Sequence, residues 1–174
     1  PVFCAGHDLK EMRGITECDQ HASLFNQCSE LMMTIVSLPQ PVIARVRGMA
    51  TAAGCQLVAS CDLAVAASTA RFATPGVNIG LFCSTPMVAL SRNIARKHAM
   101  RMLLTGDPIN AETAFSMGLV SDVVEDDDLE TRTNELAAGI AARSGMTVRL
   151  GKQAFYKQIE MPLSQAYSYA SDVM

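Results

Sequence analysis

The chain has 174 residues, of which 49% are hydrophobic and 18% are charged, and its formal net charge is −3. This length and composition fit one ordinary globular domain with a sizeable core. The mild negative charge gives no electrostatic footprint for nucleic acid or for an anionic membrane, so we expect neither as a partner. No apolar run is long enough to predict a membrane-spanning helix, and no signal peptide is visible.

The six cysteines show neither a CxxC pair nor the clustering with histidine that is typical of a metal site. Several stand in apolar surroundings, where a free cysteine behaves as a small hydrophobic residue. We therefore expect no metal and a reducing compartment. The cytoplasm is the predicted location, with the mitochondrion as the alternative.

The first 38 residues predict the end of a strand, a turn and a long helix. The strand end is Val2-Phe3-Cys4, and small residues and a charged segment follow it. From residue 21 to residue 38 the apolar side chains recur every three or four positions, which predicts an amphipathic helix of about five turns. Its apolar positions are Leu24, Phe25, Cys28, Leu31, Met32, Ile35 and Val36. Pro39 and Pro41 end this helix.

The stretch from Pro41 to Asp62 combines a strand, a run of small residues and a helix. Residues 42–46 are mostly β-branched, which predicts a buried strand. Residues 50–54 carry no bulky side chain, and helix-forming residues follow at 55–59. Such a layout lets a ligand approach the backbone N–H groups at a helix start, where the helix dipole favours negative charge. Packing of a helix on a strand through small residues would explain the same pattern.

The rest of the chain predicts alternating short strands and helices. Strands are expected at 62–67, 72–73 and 119–124, and helices at 87–93, 96–104, 111–117, 129–142 and 146–159, with a last helix beginning near Pro162. Ser84 is predicted to cap the first of these helices with its hydroxyl, and Asn110 to cap the third. We interpret the acidic run at 125–128 as a solvated helix start. Asp62 is interpreted as structural.

Strands that are apolar throughout and alternate with helices predict an α/β fold with a parallel sheet covered by helices. Three motifs then follow one another along the chain. The first is Phe-x-Ala-Gly-x-Asp-Leu at residues 3–9, and the second is Pro-Val-Ile-Ala-x-Val-x-Gly-x-Ala-x-x-x-Gly-x-x-Leu-x-x-x-Cys-Asp at residues 41–62. The third, Arg-Phe-Ala-Thr-Pro at 71–75, extends to Gly80. Through these motifs the sequence resembles the crotonase (enoyl-CoA hydratase/isomerase) superfamily.

The resemblance implies the crotonase-like ββα superhelix, also called the ClpP/crotonase fold. Residues 1–109 would form the crotonase core and residues 110–174 the C-terminal helical region, whose helices mediate oligomerisation in the family. A homotrimer or homohexamer is therefore expected. Crotonase-like proteins have a further βαβ block before this point and further helices after Met174, so the sequence resembles a piece of a longer protein.

The resemblance also implies an acyl-CoA thioester as ligand, with coenzyme A as part of the substrate and no separate cofactor. The oxyanion hole of the family uses two backbone N–H groups, which correspond here to those of His7 and Gly54. Such donors stabilise the enolate oxygen of a thioester, each by about 10²–10³ in rate. The coenzyme A segment of the family corresponds to Ala5, His7, Asp8, Leu9 and Lys10, together with Gly54. Lys10 is interpreted either as a phosphate contact or as a solvated lysine.

The sequence departs from the family pattern at two positions. Hydratases of the family carry catalytic glutamates where this sequence has Gln56 and Gly76. An amide can orient a water molecule but cannot accept its proton, and glycine has no side chain to offer. Because each general acid–base group contributes about 10²–10⁴ in rate, we expect weak or absent hydratase activity.

Two other functions remain open from the sequence. The first is a different reaction on CoA thioesters, isomerisation or hydrolysis, with His7, Cys83 or Ser84 as the reacting group. Packing would equally explain Cys83, helix capping would explain Ser84, and a surface imidazole beside the coenzyme A groove would explain His7. The second alternative is a regulatory protein that binds acyl-CoA without turnover.

Overall fold

In the computed structural model, which describes residues 1–174, seven short strands form two separate sheets. The strands are β1 Val2–Cys4, β2 Ile43–Val46, β3 Met49–Thr51, β4 Leu63–Ala67, β5 Arg71–Ala73, β6 Ile109–Asn110 and β7 Asp122–Val124. One sheet has the order β1-β3-β5-β6 and the other the order β2-β4-β7. All pairs are parallel except β5 with β6. The expected α/β fold with parallel strands is confirmed, and the strands are divided between two sheets.

Nine α-helices surround the sheets. They are α1 Leu9–Gly14, α2 Cys18–Ser37, α3 Ala53–Ser60, α4 Ser84–Asn93, α5 Arg96–Thr105, α6 Ala111–Met117, α7 Leu129–Ala141, α8 Gly145–Gln158 and α9 Leu163–Val173. A short 3₁₀ helix covers Pro75–Ile79. None of the helices has the length and hydrophobicity that a bilayer crossing requires.

Most predicted elements are present, with differences at their ends. The strand expected at 119–124 is shorter, because Leu119 and Val120 are buried between α6 and β7 and do not pair with a strand. Asn110 caps α6 through its side-chain oxygen, which accepts from the N–H of Thr113 at 2.8 Å. Ser84 does not cap α4: Cys83 holds the cap position, and the Ser84 hydroxyl donates to the carbonyl of Phe82.

Helix α3 is the element that joins the two sheets. It follows β3 of one sheet and precedes β4 of the other. Several of its residues are small, which permits close packing of the helix against neighbouring elements. Cys55, Val58 and Ala59 are buried in the main core cluster, which also contains Phe72 of β5 and Leu90 of α4. The N-terminal end of α3 lies beside β1, where Gly54 meets the Cys4 carbonyl, and beside β5, whose Ala73 carbonyl accepts from the N–H of Ala52.

The C-terminal end of α3 leads into a buried ion pair. Lys152 of α8 is 8% exposed, and its ammonium group donates to Asp62 Oδ2 at 2.7 Å. The same ammonium group donates to the carbonyls of Ile35 at 2.9 Å and Gln40 at 3.0 Å. The other oxygen of Asp62 accepts from the Tyr156 hydroxyl at 2.9 Å. These contacts confirm the structural interpretation of Asp62 and fix α8 against the second sheet.

Candidate active site

Two loops that carry the first two motifs pack directly against each other. A Cβ atom placed on Gly54 would lie 2.2 Å from the carbonyl oxygen of Cys4, so no larger residue fits without moving the backbone. Gly6 has a φ of +84°, a conformation that glycine adopts at no steric cost, and a Cβ there would lie 3.1 Å from the nitrogen of Ala53. The loop after β1 is thus seated on the first turn of α3.

The backbone N–H group of His7 donates to no acceptor in the protein, and that of Gly54 has no partner within α3. Gly54 stands in the first turn of α3, where N–H groups have no partner within the helix. Ala52, which precedes this turn, has a φ of +51° and is the one non-glycine residue with positive φ. Its N–H is held by the carbonyl of Ala73 at 3.0 Å. The strained backbone of Ala52 therefore sets the direction in which α3 begins, and its hydrogen bond to β5 fixes its position.

Gln56 lies on the same helix, two residues after Gly54, and is 4% exposed. Its side-chain oxygen is the acceptor for the Cys28 thiol at a sulfur-to-oxygen distance of 3.9 Å. No protein acceptor lies within hydrogen-bond distance of its NH2 group. The hydroxyl of Thr74 is the one side-chain polar atom that is both fully enclosed and unpaired, so the NH2 group of Gln56 keeps some contact with solvent. The amide is thus buried but open on one side.

Helix α2 forms a wall over these groups. The rings of Phe25 and His7 are in edge-to-face contact, with centroids 5.5 Å apart. Cys28 follows Phe25 by three positions and so lies on the same face of the helix, above Gln56. The imidazole of His7 is therefore packed against an apolar ring.

Gly76 is buried beneath the loop that follows the 3₁₀ helix. A Cβ atom on Gly76 would lie 2.9 Å from both the Leu81 carbonyl oxygen and the Cys83 sulfur. The N–H of Leu81 also donates to the Gly76 carbonyl at 2.9 Å. The loop from Leu81 to Cys83 consequently fills the space into which a side chain at position 76 would project.

Cys55 lies between Gly54 and Gln56 and is fully buried. Burial and, to a smaller extent, the neighbouring Cys83 raise the pKa of its thiol to about 12, although a hydrogen bond from the backbone of Ala73 acts in the opposite direction. The thiol therefore stays neutral near pH 7 and acts as a packing group in the main core cluster. No three His, Cys, Asp or Glu side chains are arranged to hold a metal ion.

Comparison with known proteins places the chain in a family. The family model described as enoyl-CoA hydratase/isomerase matches residues 1–174. This chain belongs to that family. The rat protein named enoyl-CoA hydratase domain-containing protein 3, mitochondrial, is 55% identical over 174 residues, which are 100% of this chain and 58% of the rat protein. The chain thus spans a little over half the length of that relative.

Two solved structures of the family are similar to this chain. The human enoyl-coenzyme A hydratase domain-containing protein 3 has a TM-score of 0.97 at 54% identity, and the match covers 100% of this chain and 69% of the human one. An enoyl-CoA hydratase from Mycobacterium smegmatis has a TM-score of 0.98 at 51% identity, and 99% of this chain covers 67% of it. The crotonase-like fold expected from the motifs is confirmed by these matches.

The other residues predicted for the site are more exposed. Ala5, Leu9 and Lys10 lie on the surface around the first loop. Asp8 caps α1, where one carboxylate oxygen accepts from the N–H of Lys10 at 2.7 Å. Ser84 is also exposed. Of the three alternative reacting groups, Cys83 is the one whose sulfur would meet a Cβ atom placed on Gly76.

Sequence reasoning missed Phe25 and Cys28 as parts of the site. Both were assigned to the apolar face of α2, but periodicity alone does not tell which part of that face covers the core and which part covers a ligand site. Two cavities of about 720 and 790 Å³ lie elsewhere, along α7 and α8, and their linings include neither His7, Gly54 nor Gln56.

Proposed function

We propose that this protein binds acyl-CoA thioesters and stabilises the enolate oxygen of the acyl group through the N–H groups of His7 and Gly54. The observation that carries this proposal is the close packing of the two motif loops, with the N–H of His7 free of protein acceptors and the N–H of Gly54 in the first turn of α3. A preorganised pair of donors stabilises charge that develops on a carbonyl oxygen without having to reorganise. The backbone of residues 5–10 and the start of α3 would hold the coenzyme A part.

We further propose that the hydratase activity is weak or absent. Water addition to an enoyl thioester needs a group that removes a proton from water and a group that delivers one to the substrate. Gln56 offers an amide, and Gly76 offers no side chain and has the loop from Leu81 to Cys83 above it. Without two proton-transfer groups, the rate should fall by about 10⁴-fold or more relative to hydratases that carry both glutamates.

One experiment on the full-length protein tests both parts. Calorimetry with butyryl-CoA, a saturated thioester that cannot be hydrated, should show one site per chain. Steady-state hydration of crotonyl-CoA by the same preparation should be slower by at least the expected factor. Absence of butyryl-CoA binding would refute the first part. Turnover comparable to ordinary hydratases would refute the second, and Cys83→Ala would then be the first variant to test for a missed reacting group.

We propose a trimer, or a pair of trimers, as the assembly. Large apolar side chains are exposed on the last two helices, as expected of helices that pack on a second copy. They are Met146, Leu150, Phe155, Leu163 and Tyr167. Light scattering on the full-length protein checks this proposal, and a monomer at micromolar concentration would refute it.

We also propose a mitochondrial location in place of the cytoplasmic one. The cytoplasmic expectation finds no support in the comparisons, whereas the name of the rat relative places that protein in mitochondria. Imaging of the full-length protein with a C-terminal fluorescent tag would decide between the two compartments.

A further inference from the structure

Helix α5 has an exposed face on which cations flank two apolar side chains. The exposed residues of this face are Arg96, Lys97, Met100, Arg101 and Leu104. At about 100° per residue the five positions fall within about 140° of the helix circumference, with the two apolar ones between the cations. The other side of the helix is buried in the main core cluster, so this face is fixed on the surface of the protein.

The three cations of this face are not neutralised within the protein. None of Arg96, Lys97 and Arg101 forms an ion pair, whereas Arg92 of the neighbouring α4 is paired with Glu160. Arg96 and Lys97 stand in the first turn of α5, where the helix dipole disfavours positive charge. Neither an internal ion pair nor the stability of the helix therefore accounts for these cations.

The apolar residues of the face point to a particular kind of partner. Met100 is 40% exposed and Leu104 is 58% exposed, although the same helix buries other apolar side chains fully. Exposed apolar side chains beside lysine and arginine are typical of helices that lie on a membrane surface, where the cations meet anionic headgroups and the apolar groups enter the boundary of the acyl chains.

The shape of the surface favours a lipid over a peptide. The cavities of about 720 and 790 Å³ lie along α7 and α8, and no residue of α5 lines either of them. A peptide that binds as a helix or as an extended segment needs a groove or a sheet edge, whereas a lipid surface needs only an exposed helix face. The face of α5 meets the second requirement.

We propose that the exposed face of α5 is a docking surface for anionic lipid headgroups, with Met100 and Leu104 inserted at the boundary between headgroups and acyl chains. The contact is with one leaflet and needs no membrane-crossing helix. The net charge of −3 alone predicts no such partner, because it sums these cations with acidic residues elsewhere in the chain. The contact holds the candidate site near the lipid, since a Cβ atom on Gly106, just after α5, would lie 3.0 Å from Asn78 of the 3₁₀ helix.

Co-sedimentation of the full-length protein with vesicles tests this proposal. Vesicles of phosphatidylcholine mixed with phosphatidylserine should bind the protein at least about tenfold more strongly than vesicles of phosphatidylcholine alone, because each cation near an anionic surface strengthens binding by about fivefold. Arg96→Gln combined with Arg101→Gln should weaken binding to the anionic vesicles by about 25-fold, about fivefold for each charge. Added salt should weaken wild-type binding more than that of this double variant.

Two further double variants separate local charge from net charge and from apolar contact. Arg143→Gln combined with Arg149→Gln is the matched control, because it removes two exposed cations that lie away from α5. Binding by this control should stay within about twofold of wild type, since charges beyond a Debye length are screened. Met100→Ser combined with Leu104→Ser keeps every cation and should weaken binding by about tenfold through loss of the apolar contact.

Four results would overturn the proposal. Equal binding to neutral and anionic vesicles would exclude headgroup recognition, and equal losses in the two arginine pairs would assign the effect to net charge. Unchanged binding by the Met100 and Leu104 double variant would refute their insertion. Poly-glutamate serves as the probe for an acidic protein partner. If it binds and the anionic vesicles do not, and if the loss of Arg96 and Arg101 abolishes that binding, the face recognises an acidic protein and not a lipid.

Discussion

The two ends of α3 differ in how many of their polar groups have hydrogen-bond partners within the protein. At the C-terminal end, Asp62 is paired with Lys152, Tyr156 and the N–H of Val42, the last at 2.7 Å. At the N-terminal end, the N–H of Gly54 has no partner within the helix and the NH2 of Gln56 has no protein acceptor. The first end is saturated with hydrogen bonds and the second retains unused donors.

The contrast teaches which groups hold the fold together and which are available for a ligand. A buried charge is tolerated where partners surround it, and removing one partner leaves the other uncompensated. Donors without a protein partner are available to a ligand oxygen. Substitutions near Asp62 should therefore change stability most, and substitutions near Gly54 should also change binding.

The largest effect on stability is expected for Lys152→Met, which removes the ammonium group that pairs with Asp62. Asp62 and the carbonyls of Ile35 and Gln40 would lose their shared donor, and loss of one partner of a buried ion pair costs about 3–5 kcal/mol. Urea unfolding of the full-length protein measures the change. Lys97→Met, on the exposed surface of α5, is the control and should change stability by less than about 0.5 kcal/mol. Equal effects of both variants would contradict the contrast.

Gly54→Ala should come next. The added Cβ would lie 2.2 Å from the Cys4 carbonyl oxygen, so β1 and α3 must separate, and we expect a loss of about 3 kcal/mol. Butyryl-CoA binding should fall with it, because the separation misaligns both donors. Gly139→Ala in α7, where nothing lies within 4 Å, is the matched control and should raise stability by about 0.5–1 kcal/mol. Unchanged binding by Gly54→Ala would argue against the two-donor site.

Cys55, near the N-terminal end of α3, makes the stability of the protein sensitive to alkaline pH. The pKa of the folded thiol, about 12, lies above the value of 9.0 for an unperturbed thiol, so its contribution to stability is complete below pH 9 and declines as pH rises toward 12. For wild type this contribution should fall by about 2 kcal/mol between pH 8.5 and 10.5. Cys55→Ala should remove that part of the decline, and Cys18→Ala should keep it. Parallel pH profiles for wild type and Cys55→Ala, measured with reductant present, would contradict the assignment.

The smallest effect is expected for a substitution at position 76, where the structure leaves no room for a side chain. Gln56→Glu combined with Gly76→Glu places carboxylates at the two positions where the family resemblance implies glutamates, but the loop from Leu81 to Cys83 occupies the space at position 76. Hydration of crotonyl-CoA by the double variant should exceed that of Gln56→Glu alone by less than about tenfold, well short of a full acid–base contribution. Rates in the range of ordinary hydratases would show that this loop moves aside.

Long periodic segments made most of the fold predictable. The apolar repeat of α2 and the β-branched run of β2 were both found, because burial on one face or on both faces leaves a period in the sequence. Strand β3, helix α1 and strand β6 were missed, since two to six residues are too few to show a period. The split into two sheets depends on pairing between distant strands and leaves no local signal.

The candidate site was predictable only in part. Backbone donors are marked by small residues, so Gly54 and the loop around Gly6 could be identified from the motifs. The burial of Lys152 was not foreseen, because a lysine on an amphipathic helix is ordinarily solvated and its partners lie 90 or more positions away. Likewise, nothing in the sequence relates Cys28 to Gln56, which meet only when α2 packs on α3.

The Lys152 contacts also bear on the order of folding. They join residues separated by 90 to 117 positions, so the chain must close a long loop before any of them forms. We expect α8 to dock after the sheets have assembled, which makes its contacts absent from the folding transition state. Weakening them should then leave the refolding rate nearly unchanged and accelerate unfolding, so the buried ammonium group governs mainly how long the native protein persists.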